Sequence, residues 1–158
     1  IDYFEQKFCI IKIDFKKEEL KLMNSPEIPN TIIKLNKLVD SIANALGYKN
    51  IKWQCNWDEG YGDGYGFWYE KHDMHLWIGY DYKIWSETGC AFILLTNKRV
   101  NSKAFSEFDI FFNSKGEKPL IYKDDNDIKF INISNKVGEN ENTPTITNLI
   151  SEFVKLIK

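Results

Sequence analysis

Arginine is nearly missing from this chain: Arg99 stands alone beside twenty lysines. Bidentate reading of guanine edges and phosphates uses the arginine fork, so base-specific nucleic-acid recognition is disfavoured. A basic face is not implied either. Lys and Arg number 21 against 23 Asp and Glu, for a formal net charge of −2. Proline (4) and glycine (9) are too few for a disordered or collagen-like chain. No apolar run approaches the roughly 18 residues of a membrane span, so no membrane partner is expected. The three cysteines, Cys9, Cys55 and Cys90, are far apart and form no CxxC pair. They read as buried thiols in a reducing cytoplasm rather than as a disulfide frame. The two histidines, His72 and His75, share one short segment and find no third-ligand spacing, so no zinc site is expected. The acids Asp58, Glu59, Asp63, Glu70 and Asp73 lack the ligand and glycine order of a calcium loop. No G-x-S-x-G elbow supports a serine hydrolase.

What is present is a chain of 158 residues, 43% hydrophobic and 15% aromatic, enough for one domain with its own core. The expectation is a single α+β domain over residues 1–158, cut from a longer parent chain. Two amphipathic helices are predicted. Over 31–46, Ile32, Leu35, Val39, Ile42 and Leu46 make one apolar stripe, with Gly47 as a stop. Over 143–158, the stripe is Ile146, Leu149, Ile150, Phe153, Val154 and Ile157, with Pro144 in the first turn. Pro26 and Pro29 mark 25–30 as a breaker. Between the helices, alternating segments predict a mainly antiparallel sheet of about five to seven strands. They include 51–57, 66–70, 75–85, 90–96, 105–112 and 128–134, with 8–15 as a further strand ahead of the first helix. The segment 105–112 also fits a short amphipathic helix. Both helices are expected on one face of the sheet.

All five tryptophans fall between residues 53 and 85. Strict alternation over 76–84 puts Leu76, Ile78, Tyr80, Tyr82 and Ile84 on one face, toward the helices. Trp77, Gly79, Asp81, Lys83 and Trp85 take the other, as an outer face or cleft wall. Indoles flanked by a few polar groups suit a ligand or protein contact. The expected binding surface is therefore Trp68, Trp77 and Trp85 with Asp58, Glu59, Tyr61 and Asp63 of the 58–66 loop. Glycines alternate at 60, 62, 64 and 66, but an aromatic strand follows them rather than a helix. That makes a hairpin loop, not a phosphate cradle.

One constellation has catalytic spacing. Asp81 and Lys83, two apart on a strand, project from one face. Metal-dependent nucleases use such a pair to hold magnesium and to steady charge beside the attacking water. Asp63 or Asp73 would be the second acid. This enzyme reading stands as the alternative, and magnesium enters only with it; otherwise no cofactor is expected.

The run from Gly64 to Leu95 resembles a C-terminal module of bacterial proteins that carry an N-terminal nuclease domain of the PD-(D/E)XK superfamily. Gly66, Phe67, Trp77, Ile78, Gly79, Trp85 and Gly89 carry the resemblance, which extends over about residues 35–158. It implies a setting in DNA targeting or anti-phage defence, with the nuclease centre upstream of this chain. The leading expectation is a non-enzymatic recognition or regulatory module of a bacterial or phage-associated protein. Its partner would be another protein, an N-terminal domain of the same parent chain, or a small ligand.

Overall fold

The computed structural model describes residues 14–48, 64–71, 74–138 and 142–157. The expected strand at 51–57 and residues 8–13 of the first expected strand lie outside them. The chain divides into two compact units, residues 1–33 and 34–158.

In the first unit, helix α1 spans Lys17–Met23. The Lys16 N–H donates to Glu19 Oε2 at 2.6 Å, and Asn24 Nδ2 donates to the Leu20 carbonyl at 2.8 Å. None of its residues is buried. Helix α2, Glu27–Ala45, starts here, four residues before the expected start. Pro29 sits in its first turn, where a backbone N–H has no helical acceptor anyway, so this proline does not break the helix. Ser25 Oγ accepts from the Glu27 N–H at 3.3 Å. The segment read as a breaker is thus a helix entrance.

In the second unit, α2 buries Val39, Ile42 and Ala43. Then come β1 (Gly64–Lys71), β2 (Met74–Asp81), α3 (Tyr82–Thr88), β3 (Ile93–Asn97) and α4 (Ser102–Ser114). They are followed by β4 (Leu120–Tyr122), β5 (Asp125–Asn132), a short 3-10 turn (Ser134–Lys136) and α5 (Asn142–Ile157). Among the described residues the strands form one five-stranded antiparallel sheet in the order β1-β2-β3-β5-β4. The fold is therefore α+β with an antiparallel sheet.

One of the expected strands is helical and another ends early. Residues 105–112 belong to α4, whose Phe105, Phe108, Phe111 and Phe112 follow helical spacing. The Asn101 side chain caps it, accepting from the Ala104 N–H at 2.8 Å. Residues 82–85 leave the sheet and begin α3, so β2 ends at Asp81.

Register sorts the sheet into two faces, because cross-strand partners share a side. Phe67, Ile78, Leu94 and Ile131 line up across the first face, with Tyr65 opposite Tyr80. Helix α2 reaches this face through hydrogen bonds from Tyr65 and Tyr80. Helix α4 reaches it through Lys129, which pairs with Asp109 and lies 4.1 Å from the Phe105 ring centre. Helix α5 joins α4 through Phe153, whose ring meets those of Phe108, Phe111 and Phe112. It meets α2 through Ser41 and Thr143, whose hydroxyls are 2.8 Å apart. Trp68, Trp77, Leu95, Phe130 and Leu120 line up across the second face. That face has its own apolar cluster, joined by Ile84 of α3.

Two local features make predictions. Tyr48 Oη accepts from the Glu70 N–H at 2.7 Å and donates to the Glu70 carbonyl at 2.8 Å. One hydroxyl thereby satisfies both backbone groups of a residue on β1. Tyr48→Phe keeps the ring against Phe67 and Tyr69 but loses both bonds. It is expected to cost about 1 kcal/mol, read from urea unfolding. Thr96 is fully buried in β3, and its hydroxyl has no hydrogen-bond partner among the described residues. Thr96→Val removes that unpaired group at nearly constant volume. It is expected to raise stability by about 1 kcal/mol, seen as a higher melting temperature; a lower one would show that the hydroxyl is satisfied in solution.

Candidate functional site at the end of the sheet

Asp81 closes β2 and caps α3. Its Oδ1 accepts from the Ile84 N–H at 2.8 Å. Eight residues later the helix stops at Gly89, in the left-handed region at φ 75°, whose N–H donates to the Trp85 carbonyl. A side-chain acceptor at the entrance and a glycine at the exit define this two-turn helix.

The helix breaks the expected Asp81–Lys83 geometry. The two residues do not share a strand face: Asp81 is buried as a cap, while Lys83 is exposed and turns to the β4–β5 connection. There its Nζ donates to Asp124 Oδ2 at 2.5 Å and lies 5.7 Å from the Tyr122 ring centre. The hydrogen bond to Asp124, then that to Tyr122, holds the Lys83 pKa above its ordinary value. The Lys83 bond holds the Asp124 pKa below its ordinary value. Burial, above all, raises that of Tyr122, whose hydroxyl donates to Asp124 at 3.3 Å. Lys83 is thus an ammonium in an exposed ion pair. One turn along α3, Glu87 pairs with Lys123 at 3.1 Å. These two bridges, with charges reversed, clamp α3 to the turn between β4 and β5.

Beside the clamp lies a groove of about 340 Å³ walled by Lys83, Arg99, Tyr122 and Asp125. Its cations are already matched. Arg99, the lone arginine, spans Asp125 at 3.1 Å and Asp127 at 2.9 Å. Among the described residues, no three His, Cys, Asp or Glu side chains converge on a metal position.

The other side of α3 is aromatic. Tyr82 and Trp85 are one helical turn apart, and both rings meet that of Tyr80. The ring centres are 5.4 Å and 6.2 Å from it, and the planes are tilted by 63° and 71°. Tyr80 is buried and its hydroxyl donates to Asn36 Oδ1 at 2.6 Å. Opposite Tyr80 in the register, Tyr65 donates to Asp40 Oδ1, also at 2.6 Å. Asn36 and Asp40 are one turn apart on α2, so the helix fixes both tyrosines. Sequence reasoning missed Asn36 and Asp40. The available signal was their i, i+4 spacing beside the apolar stripe of α2.

Trp77 is corrected from a surface residue to a core residue. It is fully buried in the second-face cluster. Its ring lies over Gly66 and Gly79, which face each other in the register. A side chain at either glycine would occupy the space the indole fills. Trp68 packs half-buried against the same cluster, and Trp85 is half-buried on α3. His75 Nδ1 lies 3.6 Å from Glu70 Oε1. Asp58, Glu59, Tyr61, Asp63, His72 and Asp73 lie outside the described residues. Comparison with protein-family models, with curated proteins and with solved structures finds no match. No helix among the described residues is long and apolar enough to cross a membrane.

Proposed function

We propose that residues 34–158 form a non-enzymatic recognition module of a bacterial or phage-associated protein in the cytoplasm. It binds a partner at the sheet end through Tyr82 and Trp85. The observation that carries this reading is the pairing of an exposed aromatic with a rigid support. Tyr82 is 46% exposed, yet its ring abuts a buried tyrosine whose hydroxyl is tied to α2. Aromatic anchors held this way lose little side-chain entropy on binding and are the usual centres of interfaces. The ion-paired groove on the opposite side of α3 supplies a polar rim. Its charges are paired with one another, which suits the polar edge of a contact surface.

The test compares the intact chain with a Tyr82→Ser/Trp85→Ser double variant that melts at the same temperature. A binder retained by the first and lost by the second supports the reading. Equal retention by both removes the surface from this place. Magnesium-dependent cleavage of DNA that disappears in Lys83→Ala would replace the reading with the nuclease one.

A further inference from the structure

We infer that the groove beside the clamp, between Lys83, Arg99 and Asp124, binds a free α-amino acid in its zwitterionic form. This goes beyond the recognition reading and uses neither Tyr82 nor Trp85.

Three observations lead to it. The first is an open space built from distant parts of the chain. The groove of about 340 Å³ is walled by Lys83 of α3, by Asn97 and Arg99 at the end of β3, and by Asp124 and Asp125 of the β4–β5 connection. Buried Tyr122 and Ile128 complete the lining. Small-molecule sites span roughly 300–1,000 Å³, so this one suits a ligand of few atoms.

The second is unused hydrogen-bonding capacity. The bridges neutralise the charges, yet leave particular atoms without a partner among the described residues. Arg99 spends Nε on Asp127 and Nη2 on Asp125, which leaves both N–H groups of Nη1 without an acceptor there. Asn97 accepts from the Arg99 N–H through Oδ1, and its Nδ2 donates to no described residue. Asp124 receives Lys83 and Tyr122 on Oδ2 alone, so Oδ1 accepts from no described residue. The groove thus offers a fork and an amide to a carboxylate, and a carboxylate oxygen to an ammonium. An α-amino acid carries both groups on one carbon.

The third is charge balance, which selects among ligands. The wall holds two cations, Lys83 and Arg99, and two carboxylates, Asp124 and Asp125. A plain anion meets the acids and a plain cation meets the bases, so each loses what it gains. A ligand with both signs and no net charge gains from each. The parts are also held in advance. The Lys98 N–H donates to the Asp127 carbonyl at 2.8 Å, and the Asn101 N–H to the Asn97 carbonyl at 2.9 Å, which pins the turn bearing Arg99. Asp125 Oδ1 accepts from the Asp127 N–H at 2.9 Å. Arg99 Nη1 and Asn97 Nδ2 then take the ligand's carboxylate, and Asp124 Oδ1 takes its ammonium.

The experiment uses the single arginine, whose guanidinium Nε–H gives one resonance with no competitor. That signal is followed in the intact, isotope-labelled chain as each common L-amino acid is added in turn. The tightest binder is then compared with the carboxylic acid that lacks its amino group and the amine that lacks its carboxylate. The zwitterion should bind at least about tenfold more tightly than either, the equivalent of about 1.4 kcal/mol. Arg99→Lys keeps the charge and loses the fork, and Asp124→Asn removes the partner of the ammonium. Each should weaken binding at least about tenfold while the melt is retained. Where a variant melts lower, the comparison of the three ligands on the intact chain decides alone. An acid that binds as tightly as the amino acid makes this an anion site, and an amine that does so makes it a cation site. Either result overturns the inference, as does the absence of a shift with every amino acid.

Discussion

A chain lacking residues 142–157 is expected to lose its cooperative melt. Helix α5 buries Ile146, Ile150, Phe153, Val154 and Ile157. Phe153 alone sits within 5.1–5.8 Å, ring centre to ring centre, of Phe108, Phe111 and Phe112. Removing the helix exposes these partners on α4 as well. At about 1.5–3 kcal/mol for each large apolar side chain returned to water, the loss matches a typical total stability of about 5–15 kcal/mol. Three polar ties go with it: Ser41 to Thr143, Lys115 to Glu152, and Lys103 to the Ile157 carbonyl. Near-ultraviolet circular dichroism should be nearly flat, with far-ultraviolet signal retained, as in a molten chain. A sharp transition within a few degrees of the intact protein would show that α5 is an appendage.

The second large effect is expected at two glycines. A Cβ on Gly66 would lie 2.4 Å from Trp77 Cζ2 and 2.6 Å from the Ile78 carbonyl oxygen. One on Gly79 would lie 2.3 Å from the Tyr65 carbonyl oxygen and 2.5 Å from the Gly66 Cα. Backbone cannot step aside as a side-chain tip can, and the indole is enclosed by the second-face cluster. Overpacking typically costs about 1–3 kcal/mol, and these contacts put Gly66→Ala and Gly79→Ala at the upper end or beyond. Urea unfolding measures this. A double-mutant cycle adds a sharper reading. Trp77→Leu should partly rescue Gly66→Ala, where the ring is the closest atom, and rescue Gly79→Ala less, where backbone is closest. Equal rescue would mean that the sheet, not the indole, accommodates the added methyl.

The legible parts of this fold were those with long periodic patterns. The stripes over 31–46 and 143–158 identify α2 and α5 because several turns repeat the same spacing. Leu76, Ile78 and Tyr80 alternate, and they do face the helices. The pattern misled where an element is short. Tyr82 and Ile84 continue the two-residue period of β2, yet the chain has turned into α3. Two helical turns are too few to outvote an alternation, and only Asp81 as cap and Gly89 as stop marked the change. Phe105 to Phe112 contains both periods, so Asn101 as a cap was the deciding signal there. The site was half legible. Trp85 and Lys83 were singled out, but on the wrong element, so their neighbours were wrong as well. The alternation assigns Trp77 to a surface because it puts Asp81 and Lys83 on the same face. In the fold Asp81 is spent on a helix entrance and Lys83 points away, and the face they vacate is apolar. Tyr82, Asn36 and Asp40 emerge only once α2 lies across the sheet.

The orphaned indole nitrogen of Trp77 gives the protein an internal clock for unfolding. Its Nε1–H is buried and finds no acceptor among the described residues. Deuterium can replace that proton only when the second face opens. Its exchange therefore reports the free energy of opening this part of the sheet, with no probe attached. Trp85 sits on α3 at the proposed binding surface, half-buried. One spectrum of the tryptophan side chains thus separates two events: ligand arrival moves the Trp85 signal at once, and loss of the sheet bleaches the Trp77 signal slowly.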